Sequence, residues 1–348
     1  MTNWAKEDFL QQLLRKAVTS GASDVHLKVG QPPAVRVAGD LVYFKVDRLM
    51  PDDTEAAAGV ILRQEGNAHL LDSLREEDLS YSVKGLARFR VNIFRQRNTL
   101  AIVMRAIPAV VPSVEELGLP TPIEELALRE RGLVLVVGAA GNGKSTTLAA
   151  MVNLVNATRA RHIVTIEDPI EFLHRDLRSN VSQREVGLDT DSFASALRSA
   201  LRQDPDVILV GEIRDSVTME IAVQASETGH LVFSTMHTPD AGRTLNRLLA
   251  LAENPLELRD RIADCLQGVV AQRLVPRVGG GRVLAQEILI GTGTVREALK
   301  RPDQNPPLKE LMERGVTPYG MQTFQMAARR LVKEGLITKE TAHEQFNL

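Results

Sequence analysis

Residues 138–145 read Gly138-Ala139-Ala140-Gly141-Asn142-Gly143-Lys144-Ser145 and fit the pattern G-x-x-x-x-G-K-[ST]. Glycines in such a loop let successive backbone N–H groups turn inward around phosphate oxygens. A helix opening at Thr146 adds the positive end of its dipole. Lys144 then reaches the β- and γ-phosphates of a bound nucleotide, and the Ser145 hydroxyl can hold Mg²⁺. The competing reading is a glycine-rich turn with a solvated lysine. The context disfavours it, because an apolar run from Leu133 to Val137 precedes the loop and a helical pattern from Thr146 to Val155 follows.

Three more segments supply groups that could act on a triphosphate. The run Asp206-Val207-Ile208-Leu209-Val210-Gly211-Glu212 is a buried strand pattern ending in an acid, the usual way to set a carboxylate beside Mg²⁺. Glu212 is the candidate there, and Asp206 at the strand start reads as structural. In Thr165-Ile166-Glu167-Asp168-Pro169-Ile170-Glu171 the acids follow a strand that starts at Ile163. Carboxyl ends of parallel strands line a nucleotide crevice, so Glu167 is placed to polarise a water; an ordinary acidic loop before a proline is the alternative. The segment from Glu227 to Thr238 sets His230 and His237 at opposite ends of one strand. His237, at the carboxyl end, can sense a γ-phosphate, whereas a solvated strand-end histidine is the plainer reading. A zinc site is disfavoured, since no second pair of ligands lies nearby.

The elements that must position these groups alternate between apolar β-rich runs (133–137, 163–166, 207–210, 231–233) and helical segments. That alternation implies an α/β unit with a parallel sheet covered on both faces. Residues 1–108 read differently. Phe9, Leu10, Leu13, Leu14 and Ala17 share a helical face ended by Ser20-Gly21, and Val25, Leu27 and Val29 alternate as in a half-buried strand. A hairpin is expected around Ala38-Gly39-Asp40, a helical stretch over 53–71, and a second hairpin running from Arg88 to Met104 through Gln96-Arg97-Asn98. This is a small α+β domain. Pro108, Pro112, Pro120 and Pro122 mark a linker over 109–122, and residues 123–348 form the second domain with a mostly helical tail from Val295.

The chain has 348 residues, enough for two domains, and 44% of them are hydrophobic. Its net charge of −2 and 4% aromatic content disfavour nucleic acid as a partner. One cysteine, Cys265, excludes an internal disulfide and fits a reducing compartment. There is no apolar run of membrane-spanning length, and the N-terminus carries Glu7 and Asp8 where a signal peptide would be apolar. A cytoplasmic location is expected.

Taken in order, the four segments resemble the motifs of the secretion ATPase superfamily: a Walker A loop (138–145), an Asp box (167–171), a Walker B segment (209–214) and a His box (230–238). The resemblance extends to Ala22-Ser23-Asp24-Val25-His26-Leu27, Gly30-Gln31-Pro32-Pro33 and Ala87-Arg88-Phe89-Arg90-Val91-Asn92. Within the superfamily the chain looks most like the PilT-like retraction branch of type IV pilus motors. The compact length, the lack of a tetracysteine module and the turn at Gly279-Gly280-Gly281 favour that branch. The resemblance implies a PAS-like N-terminal domain, a RecA-like P-loop domain and a homohexameric ring that hydrolyses ATP with Mg²⁺ to drive pilus retraction and twitching motility. It further implies peripheral attachment to an inner-membrane platform protein, and a second pilus motor as a possible partner. In its terms Glu167 is the general base or water-orienting acid, Glu212 the Walker B acid, His237 a γ-phosphate contact and His230 a supporting residue. Arg88, Arg95 and Arg105 would approach the nucleotide, since a guanidinium binds phosphate bidentately; a solvated arginine face is the alternative.

Two stretches depart from the family pattern. The family loop commonly reads Gly-Pro-Thr-Gly-Ser-Gly-Lys, and here Ala139, Ala140 and Asn142 fill the variable places. The retraction branch carries Ala-Ile-Arg-Asn-Leu-Ile-Arg-Glu, whereas residues 294–301 share only Arg296 with it. A pilus extension or secretion motor, or a nucleotide-binding partner without turnover, are the rival readings.

Overall fold

The computed structural model describes residues 7–37, 39–64, 66–71, 73–107 and 110–348. Residues 1–6, Ala38 of the first expected turn, and Pro108 and Ala109, at the expected domain boundary, lie outside them. The chain divides into two compact units, one reaching Val110 and the other starting at Val111.

The first unit is a six-stranded antiparallel sheet with helices against it. Helix α1 (Glu7–Thr19) buries Leu10, Leu13, Leu14 and Ala17 on one stripe, as the spacing requires. Strands β1 (Ala22–Lys28), β2 (Ala34–Val37) and β3 (Asp40–Tyr43) follow, then α2 (Pro51–Gln64). The helical stretch expected to reach position 71 breaks earlier. Gly66 takes a positive φ of 75°, and only a short 3-10 turn, Ala68–Leu70, continues. Strands β4 (Glu76–Val83), β5 (Ala87–Gln96) and β6 (Thr99–Ile107) complete the sheet in the order β3-β2-β1-β6-β5-β4. The β5–β6 turn is made by Arg97 and Asn98, both at positive φ, the geometry a tight hairpin demands. Tyr81, Phe89, Ile93 and Ile102 are fully buried at its centre.

The second unit opens with α3 (Thr121–Ala127), β7 (Gly132–Val137), α4 (Lys144–Thr158) and β8 (His162–Glu167). It continues with β9 (Asn180–Glu185), α5 (Phe193–Ala200), β10 (Val207–Val210), α6 (Ser216–Glu227) and β11 (Leu231–Met236). After α7 (Ala241–Leu251) and α8 (Pro255–Cys265) come the long hairpin strands β12 (Leu266–Pro276) and β13 (Arg282–Ile290). The tail holds α9 (Gly293–Lys300), α10 (Leu308–Arg314), α11 (Phe324–Lys333) and α12 (Lys339–Phe346).

Seven strands form one sheet in the order β13-β12-β7-β11-β10-β8-β9. All neighbours are parallel except the β12–β13 pair. Every residue of β7, β10 and β11 is buried, because helices cover both faces. Loops leaving the carboxyl ends of β7, β8, β10 and β11 therefore gather along one edge. Most helix starts carry a side-chain cap, such as Asp215 on the Thr218 N–H at 2.8 Å and Asp240 on the Arg243 N–H at 2.8 Å. Arg273 of β12 sits against the stacked rings of Phe324 and Phe346, 5.0 and 5.2 Å from their centroids, and donates to the Gln345 carbonyl, so it fastens the tail to the sheet. Among the described residues no helix is long and apolar enough to cross a membrane.

Candidate active site

Helix α4 starts without a side-chain cap. Its N-cap is Gly143, at φ 78° and ψ 18°, in the left-handed region where a side chain is costly. The first-turn N–H groups are thus left for an external acceptor. Gly138, at φ 146°, is tighter still: a Cβ there would lie 2.5 Å from the carbonyl oxygen of Gln272. The loop can lie this close to β12 only with glycine at that position. β12 also holds the loop through side chains. Asn142 Oδ1 accepts from the Leu274 N–H (3.1 Å), and Gln272 Nε2 donates to Thr147 Oγ1 (2.7 Å). The departure from the usual loop at Asn142 thus forms a stitch between loop and sheet.

Lys144 is buried, and its ammonium donates to the carbonyls of Gly138 (2.9 Å) and Ala139 (3.1 Å). Desolvation lowers its pKa, with Glu212 and Glu171 opposing that shift. The loop, the helix start and the three strand ends surround a cavity of about 460 Å³. Ala140, Gly141, Gly143, Lys144, Ser145 and Thr146 line it from β7, Glu167 and Glu171 from β8, Glu212 from β10 and His237 from β11. The hairpin contributes Leu274 and Arg282.

Glu212 is almost fully buried, with Oε1 ion-paired to Arg214. Its Oε2 is buried without a hydrogen-bond partner, and His237 Nε2 lies 3.6 Å from it. The turn that carries it is fixed to both neighbours, by the Gly211 N–H on the Ile166 carbonyl (2.8 Å) and by Thr235 Oγ1 on the Gly211 carbonyl (2.7 Å). An orphaned buried carboxylate oxygen in the cavity that Ser145 also lines suits a magnesium ion, or water bound to one. Among the described residues no cluster of three or more His, Cys, Asp or Glu side chains could chelate a metal alone.

Glu167 opens onto the cavity but is densely surrounded by protein, and burial raises its pKa. Thr165 Oγ1 (2.6 Å) and Gln183 Nε2 (3.1 Å) both donate to its Oε1 and oppose the rise. His174, on the same wall, is pushed down to about 4 by desolvation and is neutral at ordinary pH. Sequence reasoning missed Thr165 and Gln183 as site residues. A lone threonine or glutamine carries no motif, and strand β9, Asn-Val-Ser-Gln-Arg-Glu, has one apolar residue where an expected strand would show several.

Not every expected site residue joins the cavity. His230 sits at the amino end of β11, seven residue steps from His237 across the six-residue strand, about 23 Å at 3.3 Å each. It lines a separate cleft with Arg131, Arg161 and Asp206, and its Nδ1 lies 3.0 Å from the Ala225 carbonyl. The expectation that His230 supports the nucleotide site is corrected by strand direction, which puts His237, not His230, at the carboxyl edge. Asp206 is structural, accepting from Arg161 Nη1 and the His162 N–H, each at 2.8 Å. Arg88, Arg95 and Arg105 belong to the first unit. There Arg88 Nη2 donates to Ser80 Oγ (2.9 Å), Arg95 Nε to the Leu74 carbonyl (2.8 Å) and Arg105 Nε to Asp24 Oδ1 (2.8 Å).

Fold and site together define a P-loop nucleotide-binding protein, with its phosphate loop after β7 and its acids on the neighbouring strand ends. The chain belongs to the Type II/IV secretion system protein family, whose model matches residues 3–281. It is 44% identical over 341 residues to the type IV pilus retraction ATPase PilT of Pseudomonas aeruginosa, covering 97% of this chain and 98% of the relative. To the type IV pilus ATPase PilU of the same organism it is 40% identical, covering 95% and 87%. A crystal structure of the pilus retraction motor PilT with bound ADP superposes with a TM-score of 0.86 at 43% identity, covering 96% of this chain and 95% of that one.

Proposed function

We propose that this protein hydrolyses ATP as a subunit of a homohexameric motor that powers type IV pilus retraction, at the cytoplasmic face of an inner-membrane platform. One observation carries the reading. Lys144, Glu167, Glu212 and His237 converge on a single cavity in a chain similar to PilT along nearly its whole length. In this reading the N–H groups from Gly141 to Thr146 and the Lys144 ammonium hold the β- and γ-phosphates, and Lys144 exchanges its two carbonyl partners for phosphate oxygens. Ser145 and Glu212 hold Mg²⁺, which neutralises charge on the transferring group when bound. His237 faces the γ-phosphate.

Glu167 accepts one proton from the attacking water as the water oxygen bonds to the γ-phosphorus. The bond to the bridging oxygen breaks, and its electron pair leaves with ADP. A base with a raised pKa is better matched to that proton than an exposed glutamate. Most of the acceleration comes from donors fixed around the transferring group. Arg88, Arg95 and Arg105 supply further positive charge from the first unit once subunits assemble.

The test pairs biochemistry with a deletion strain. The assembled protein should release phosphate from MgATP, and Lys144→Ala or Glu212→Ala should abolish release. Cells lacking the protein should be hyperpiliated and fail to twitch. Bald cells would overturn the retraction reading in favour of extension, and full turnover in either variant would overturn the mechanism.

A further inference from the structure

Strand β9 is the edge of the second unit's sheet, and its polar sequence gives no reason of its own to form a strand. Its register places Gln183 directly opposite Thr165, two residues before Glu167 on the same face of β8. The Gln183 amide is fully used. One Nε2 proton goes to Glu167 Oε1 (3.1 Å) and the other to the Phe172 carbonyl (2.9 Å), while Oε1 accepts from the His174 N–H (2.8 Å). With both donors and the acceptor engaged, the amide has one orientation, and flipping it would break all three bonds. Thr165 Oγ1 donates to the same carboxylate oxygen at 2.6 Å.

We infer that Gln183 is a positioning residue for hydrolysis: together with Thr165 it pins Oε1 of Glu167, so that Oε2 meets the attacking water, and it ties the loop bearing Phe172 and His174 to the same carboxylate. The inference rests on the reading of Glu167 as the base. The physical reason is directional. A carboxylate on a two-carbon stem samples several rotamers, and a base that must approach one water loses rate when that freedom returns. Two side-chain donors on one oxygen, with the Glu171 backbone N–H also bonded to the carboxylate, fix the plane of the group.

The experiment uses the full chain in its assembled form and measures steady-state phosphate release against MgATP, with binding followed by a fluorescent ADP analogue. Gln183→Met keeps the volume and removes all three bonds. It should lower kcat by about 10- to 100-fold, the range for a hydrogen bond to a charged group. KM and the ADP affinity should stay within about threefold, since Gln183 touches no phosphate-binding group. Gln183→Glu, which cannot donate to Glu167 or to Phe172, should lose at least as much. In a Glu167→Gln background the added Gln183→Met change should cost no more than about twofold, because the group it positions is already disabled. A purely structural role would instead move KM, ADP affinity and thermal stability together and would add to the loss in that background. Either that pattern or unchanged kcat in Gln183→Met overturns the inference. If Gln183→Met does not fold, Thr165→Val removes the other donor to Oε1, and the same kcat loss and the same non-additivity are required of it. Full turnover by Glu167→Gln alone would overturn the base assignment itself.

Discussion

Replacing Gly138 by alanine tests how the phosphate loop is held. The added Cβ would stand 2.5 Å from the Gln272 carbonyl oxygen, a backbone atom of β12 that is paired to β7 on one side and β13 on the other. It cannot turn aside as a side chain would, so the loop itself must move by at least several tenths of an ångström. A φ of 146° is also a region that only glycine occupies at ease. Holding alanine there costs about 1–3 kcal/mol. The free loop escapes this strain by shifting locally, so the cost falls on binding, where the original geometry must be restored. At about 1.4 kcal/mol per tenfold, ATP affinity should weaken by about 5- to 140-fold. Calorimetric titration with a non-hydrolysable ATP analogue gives that number, and thermal unfolding separates it from general damage. Affinity within twofold of the parent, in a protein of unchanged stability, would refute the claim that contact with β12 shapes the loop.

Other outcomes follow from the packing. Phe233, fully buried in β11, should lower stability by about 3–5 kcal/mol when cut to alanine, measured by denaturant unfolding. Glu287, buried and accepting from the Ala241 N–H at 3.0 Å, has its pKa raised, mainly by desolvation. A raised folded-state pKa means that the unfolded chain releases this proton first, so stability falls as pH climbs from the ordinary glutamate range to the raised value. Glu287→Gln keeps an acceptor without the charge, and melting curves should show its advantage over the parent growing from pH 4 to pH 8. Cys265 is buried with its thiol pushed up to about 11, so iodoacetamide at pH 8 should modify it only after denaturant is added.

Much of this site was legible because its parts are strand ends and a motif with fixed flanks. The run Leu133–Val137 and the glycines after it locate a loop, and the apolar strands that end near Glu167, Glu212 and His237 bring those residues to the same edge of a parallel sheet. What the sequence withheld depends on direction and neighbours. His237 was legible at the carboxyl end of its strand, whereas His230 entered only through the family resemblance, and the polarity of β11 keeps it out of the cavity. Strand β9 went unread because it is a polar edge, stabilised by pairing with β8 more than by burying its own side chains, and Gln183 was lost with it. Strand β4, Glu-Glu-Asp-Leu-Ser-Tyr-Ser-Val, was hidden in the same way by its leading acids, although Leu79 and Tyr81 are buried. Asn142 read as a departure from a common loop, and its stitch to the Leu274 N–H exists only once β12 lies alongside.

The central claim is that one cavity binds the triphosphate and cleaves it. A structure of the assembled protein with a non-hydrolysable ATP analogue and Mg²⁺ tests this most directly. The expected result is a triphosphate cradled by residues 138–146, with its γ-phosphate between Glu167 and His237 and Mg²⁺ within reach of Ser145 and Glu212. A nucleotide bound elsewhere, or a γ-phosphate turned away from Glu167, would contradict it.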